Sequence, residues 1–171
     1  MPNYLRPRLS NATVFFTVTL QNRGSTTLVD NIDTLRTAVA QTLSERPVAI
    51  DAWVVLPDHM HCMWTLPDSD YSTRWRLIKS RFSSALPCGK RRPSHIARQE
   101  RGVWQGRFWE HHIRDQTDYD AHLTYCWWNP VKHGLVEHPK DWLFSSVHRD
   151  VRFGDGHAEV REITHATEVQ A

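Results

Sequence analysis

The sequence predicts an α+β domain: a ferredoxin-like (split βαβ) antiparallel sheet with helices packed on it. Three observations carry that prediction. The elements read β-α-β-β-α-β-α along the chain. The second and third strands are joined only by Pro57-Asp58, a connection too short for a parallel crossover, so they pair antiparallel. A helix-length segment lies before and after that pair, and a split βαβ sheet needs two such crossovers.

Each element has its own signal. Residues 1–12 are polar with two prolines and read as a loose arm. Residues 13–20 (TVFFTVTL) are dense in β-branched and aromatic side chains and form the first strand. In residues 31–45, Ile32, Leu35, Val39 and Leu43 recur three and four apart. That spacing is helical, with Asp30 or Asn31 as cap and Pro47 as stop. Residues 48–56 are the second strand and 59–66 the third. On the third, His59, His61, Met63 and Thr65 face one way, while Met60, Cys62, Trp64 and Leu66 face the core. Ser72 can cap a helix reaching about residue 86, with Trp75, Ile78, Phe82 and Leu86 as its buried stripe. Residues 87–103 form a long Arg-rich exposed loop, and residues 104–113 a fourth strand. Thr117-Asp118-Tyr119-Asp120 resembles a capping box for the last main helix, whose end Gly134 follows. The aromatic residues in 141–148 pack back on the domain. From 151 the chain is polar and weakly acidic, a flexible tail, which leaves 13–150 as one domain.

Composition narrows the class of function. With 40% apolar residues and eight Trp the chain is not disordered. Net charge is only +2, but it is unevenly distributed. Residues 71–115 hold eleven Lys or Arg against three acids; the remainder holds ten against sixteen. A basic centre in a nearly neutral chain suits a phosphate backbone, although a solvated Arg-rich loop has the same composition. Arg76, Lys79, Ser80 and Ser83 share one helix face and suit phosphate contacts, or an ordinary solvated surface. The three cysteines are odd in number and include no CxxC pair, which argues against a disulfide framework and a Cys-rich zinc site. Neither a signal-peptide pattern nor an apolar run of ~18 residues is present, so a soluble protein of a reducing compartment is expected.

The chemistry centres on His59 and His61. Two imidazoles on one face of a strand are half of a metal site, although such a pair is often merely packed or hydrogen-bonded. The other half lies on the last helix, where His122, Tyr125 and Asn129 share a face. Asn129 could complete the site. Pro130 disfavours α geometry at the preceding residue, so Asn129 could instead cap a turn over 130–133. A phenol is a weak nucleophile until a base or charge activates it, and a metal-bound phosphodiester is a suitable target. A lone helical Tyr is more usually a core or rim residue.

These segments resemble a known family. Ala52-Trp53-Val54-Val55-Leu56-Pro57-Asp58-His59-Met60-His61-Cys62 is similar to the HUH motif of single-tyrosine transposases, in particular the REP-associated tyrosine transposases. Residues 72–82 and 102–111 resemble that family's next helix and strand. Tyr125 followed by Asn129-Pro130-Val131-Lys132-His133-Gly134-Leu135-Val136 resembles its nucleophile helix. The similarity runs from about residue 15 to about residue 149. The resemblance implies an HUH-endonuclease type of fold, with His59, His61 and Asn129 as ligands for Mg²⁺ or Mn²⁺. It implies that Tyr125 attacks single-stranded DNA, keeping the 5′ phosphate and releasing a 3′-OH. The implied partner is hairpin DNA of repetitive extragenic palindromes (REP elements), in the cytoplasm of a bacterium at the nucleoid. Arg74, Arg76, Lys79, Arg81, Arg107 and Lys132 are the expected DNA contacts, and exposed rings would stack unpaired bases. The family commonly reads Tyr-Ile-His-x-Asn-Pro; here Trp127 replaces the His. If that His contacts DNA or metal, this copy is weakened.

Other readings divide on particular residues. A histidine-triad hydrolase needs His-x-His-x-His, and the third position is Met63. A structural metal-binding domain leaves the basic centre unexplained. The alternative that remains is a domesticated hairpin-binding protein without cleavage. No membrane partner is expected, and monomer or dimer stays undecided with a monomer slightly favoured.

Overall fold

The computed structural model describes residues 11–87 and 91–152. The expected arm and tail otherwise lie outside the described residues; residues 151 and 152 end a helix rather than begin a tail. Strands β1 (Thr13–Thr19), β2 (Ala49–Val55), β3 (His59–Thr65) and β4 (Trp109–His112) form one sheet in the order β2-β3-β1-β4. Every neighbouring pair is antiparallel. β3 lies between β1 and β2, and β1 between β3 and β4, which is the expected split βαβ arrangement.

The helices are α1 (Thr27–Asp30), α2 (Ile32–Glu45), α3 (Tyr71–Ser84), α4 (Pro93–Ala97), α5 (Gln116–Lys132) and α6 (Val147–Arg152). A 3₁₀ turn spans Pro139–Asp141. The alternation of strand side chains sorts them into two cores. Val14, Phe16 and Val18 of β1, with Met60, Cys62 and Trp64 of β3, pack beneath α2 and α3. Trp64 stacks on Trp75 of α3 with centroids 4.4 Å apart. Phe15 of β1, Ala52 and Val54 of β2 and Met63 of β3 meet Cys126 of α5 on the other face. α5 is therefore placed over the histidine face of β3.

Several boundaries differ from the sequence expectation. Asp70, not Ser72, caps α3, because its carboxylate accepts from the Thr73 N–H at 3.2 Å. Asp115 caps α5 in the same way through the Asp118 N–H, so Thr117 lies inside the helix. β4 is shorter than predicted; Trp104 makes only an isolated bridge to Leu20. The long basic loop contains α4, which Pro93 opens. α5 runs through Pro130, so Asn129 lies in the helix rather than capping a turn. Pro130 lies in the last turn, where it lacks the N–H that would bond the Cys126 carbonyl. The helix then closes on Gly134 at φ +66, with Leu135 N–H bonded to Pro130 O and Gly134 N–H to Val131 O. That Schellman closure needs the left-handed residue that glycine supplies.

Candidate active site

The hairpin that opens β3 is pinned from outside. The Leu20 N–H donates to Asp58 O at 2.8 Å and the Leu28 N–H to Pro57 O at 3.1 Å. His59 and His61 follow at once, both buried, with ring centroids 5.0 Å apart. Each has its Nδ1 engaged. The His59 Nδ1–H donates to Asp58 Oδ1 at 2.6 Å, and His61 Nδ1 is bonded to Thr17 Oγ1 at 2.9 Å. Asp58 is itself held by the Gly24 N–H at 2.8 Å and by Arg23. A carboxylate or hydroxyl on one ring nitrogen fixes the orientation and leaves Nε2 as the ligating atom.

α5 supplies the facing residues. A polar stripe of Asp118, His122, Tyr125, Asn129 and His133 recurs along its sheet side, as three- and four-residue spacing dictates. The Tyr125 ring is edge-on to His61 at 5.1 Å, and His133 meets His59 at 5.1 Å. Asn129 lies between them on the stripe, one turn from each. Its Oδ1 and Nδ2 are buried with no hydrogen-bond partner among the described residues, and so is His61 Nε2. Buried polar atoms without partners are costly, and such atoms on both facing elements, β3 and α5, suit a place for a ligand. Two neutral imidazole nitrogens and an amide oxygen fit a divalent cation. Burial lowers the pKa of His61 well below the ordinary imidazole value and that of His59 to a lesser degree, where the Asp58 bond opposes it. Both rings therefore present the neutral form that a metal requires.

Trp127 is two residues beyond Tyr125, about 200° round the helix. It is half-buried and packs against the same apolar cluster as Tyr125.

The expected DNA contacts divide into two groups. Arg76, Lys79 and Arg107 line a groove of about 830 Å³ between α3 and residues 98–108, together with Ser80, Ser83, Arg98 and Arg101. Lys79 reaches across it, donating to Gln105 O at 2.7 Å. Lys132 is on α5, with its Nζ 5.2 Å from the Tyr125 ring. Arg74 is a correction. It is 1% exposed, and its five N–H groups are taken by Asp68 and the carbonyls of Arg46, Pro47 and Asp70. It clamps the chain before α3 and has no donor left for DNA. Arg81 likewise joins α3 to α2 through Thr42 and a two-oxygen pair with Glu45, and it does not line the groove.

Asp58, Thr17 and His133 were missed as site residues. The Asp directly before the first strand His was a readable signal for the first. Thr17 had none, because it faces His61 only through the β1–β3 register. A second cluster, His111, Asp118 and His122, places its potential ligand atoms within 4.8 Å of one another. Its two rings stack 4.6 Å apart with planes 13° from parallel. Hydrogen bonds from His111 and from the backbone and side chain of Arg114 outweigh burial and hold the Asp118 carboxyl down to about 2.

The chain is similar to proteins of one kind. It is 47% identical over 156 residues to the REP-associated tyrosine transposase of Escherichia coli, covering 90% of this chain and 87% of the relative. It is 43% identical to a putative REP-associated tyrosine transposase of Haemophilus influenzae, covering 89% of each. A solved structure of a REP-associated tyrosine transposase bound to a REP hairpin matches with a TM-score of 0.77 at 41% identity, both chains fully covered. No family model matches.

Proposed function

The chain belongs to the REP-associated tyrosine transposases, and from that premise we propose that it cleaves and rejoins single-stranded DNA at REP hairpins, with Tyr125 as nucleophile. The observation that carries the reading is the pair of buried groups without a partner among the described residues, His61 Nε2 beside the Tyr125 ring and the Asn129 amide one helical turn further on. His59, His61 and Asn129 would hold Mg²⁺ or Mn²⁺. When bound, such an ion polarises a phosphodiester and stabilises the departing oxygen.

The protein's own residues account for the rest. Asp58 and Thr17 fix the two imidazoles. The Tyr125 oxygen bonds to phosphorus as the P–O3′ bond breaks; the phenol gives up its proton and the 3′ oxygen gains one. The 5′ phosphate stays on Tyr125, so the reverse reaction with a 3′-OH rejoins a strand without an external energy source. Lys132 places a positive charge beside the ring where the phosphate arrives. The groove bearing Arg76, Lys79 and Arg107 holds duplex phosphates. A genomic hairpin as substrate puts the protein in the bacterial cytoplasm, at the nucleoid. No helix among the described residues is long and apolar enough to cross a membrane.

The test is a labelled hairpin oligonucleotide incubated with the protein and Mn²⁺, then run on a denaturing gel. The expected result is a covalent adduct that Tyr125→Phe abolishes. An adduct that persists in Tyr125→Phe refutes the assignment. Hairpin binding without any adduct selects the binding-only alternative.

A further inference from the structure

We infer that Trp109 is the stacking platform for an unpaired base of the strand that reaches Tyr125. This rests on the reading above, that single-stranded DNA is the substrate. All eight tryptophans lie among the described residues, and seven of them are buried or half-buried. Trp109 is 40% exposed. It stands on β4, the outer strand of the sheet. Its ring is on the nucleophile's face, edge-on to Phe15 at 5.9 Å, and Phe15 in turn contacts the Tyr125 ring at 5.8 Å. Only the Phe15 ring separates Trp109 from Tyr125, so a base on Trp109 belongs within a few nucleotides of the attacked phosphate.

The ring is also held in place. His111 lies parallel to it, with centroids 6.0 Å apart and planes 5° apart, and His122 continues the stack at 4.6 Å. An aromatic already fixed by its neighbours loses little freedom when a base arrives. A flat occupant with apolar faces suits the ring, and a negatively charged one suits a segment that also carries exposed Arg107 and Arg114, the latter paired with Asp118. A nucleobase with its phosphates combines these features. Among the described residues the other exposed large apolar side chains (Ile96, Leu135, Leu143) lie outside β4, so no apolar strand surface suited to a protein partner surrounds Trp109 there.

The test compares a REP hairpin with and without a single-stranded flank, using Tyr125→Phe as background so that binding is read without cleavage. Trp109→Ala should weaken binding of the flanked hairpin by roughly 5- to 150-fold, the range for one base–aromatic stack, and leave the bare hairpin unchanged. Trp109→Phe should restore most of the loss. Equal losses on both probes, no loss, or failure of Phe to restore binding overturns the inference. If the Tyr125→Phe background binds neither probe, the hairpin reading itself fails. Sedimentation without DNA closes the remaining route: a Trp109→Ala change that dissociates a dimer assigns the ring to a second copy and overturns the proposal.

Discussion

Asn129 is a buried amide for which the described residues supply no partner, and that makes function and stability separable at one residue. Removing an unsatisfied buried polar group recovers about 1–3 kcal/mol of desolvation, which offsets the packing lost on truncation. Asn129→Ala should therefore shift thermal stability by no more than about 1 kcal/mol while abolishing Mn²⁺-dependent adduct formation. Asp58→Ala removes no ligand, only the group that orients His59. Mn²⁺ affinity, measured by calorimetry, should fall by roughly 10- to 100-fold. Arg74 is the opposite case, structural and not functional. Arg74→Met should cost about 2–4 kcal/mol in a denaturant melt, because several carbonyls lose their donor together. Hairpin affinity per folded molecule should be unchanged. The Arg74 guanidinium holds the Asp68 carboxyl down to about 2. A depressed carboxylate stabilises the fold above its unfolded pKa of ~3.9 and loses that contribution as pH falls towards 2. The wild type should thus lose more stability than Arg74→Met over this acid range; Asp68 is half-exposed, which keeps the difference small.

At the level of elements, α3 and α5 do different work on opposite faces of the sheet. α3 carries Lys79 into the basic groove, and burial lowers its pKa to about 8. Its charge is lost as pH rises through that value, well before an ordinary lysine near ~10.4. Hairpin affinity should decline between about pH 7 and pH 9, and Lys79→Arg should remove that decline. The same shift makes the fold gain stability as pH rises from about 8 towards ~10.4, because the unfolded chain then binds more protons. α5 depends on its closure at Gly134. A Cβ there finds open space, so the cost of Gly134→Ala is conformational alone, about 1–2 kcal/mol from forcing φ +66 on alanine. A fluorescence melt would read it.

For the whole molecule, the sheet separates the basic groove from the nucleophile. The groove and the nucleophile lie on opposite faces, and residues 98–108, which line the groove, lead into β4 at one edge of the sheet. Binding through the groove is dominated by phosphate contacts. Affinity should fall roughly a hundredfold between about 50 and 200 mM salt if about four phosphates are neutralised. A flat response in a filter-binding titration would remove the groove from the interface.

Local pattern alone was enough for the order of elements, the shared face of His59 and His61, and the stripe of Tyr125 and Asn129. Strand period and helix period are properties of neighbouring residues. The same periods could not say which arginines face DNA. Arg74 and Arg76 are two apart on one helix, and only the packing of α3 against the chain at Arg46 and Pro47 buries the first and exposes the second. Nor could they choose among eight tryptophans, because exposure depends on what the rest of the chain covers. The pairing of Thr17 with His61 and the stacking of α5 over β3 are contacts between residues far apart in sequence. Their partners are chosen when the sheet closes, so tertiary structure alone decided which atoms of the site have partners and which are left for a ligand.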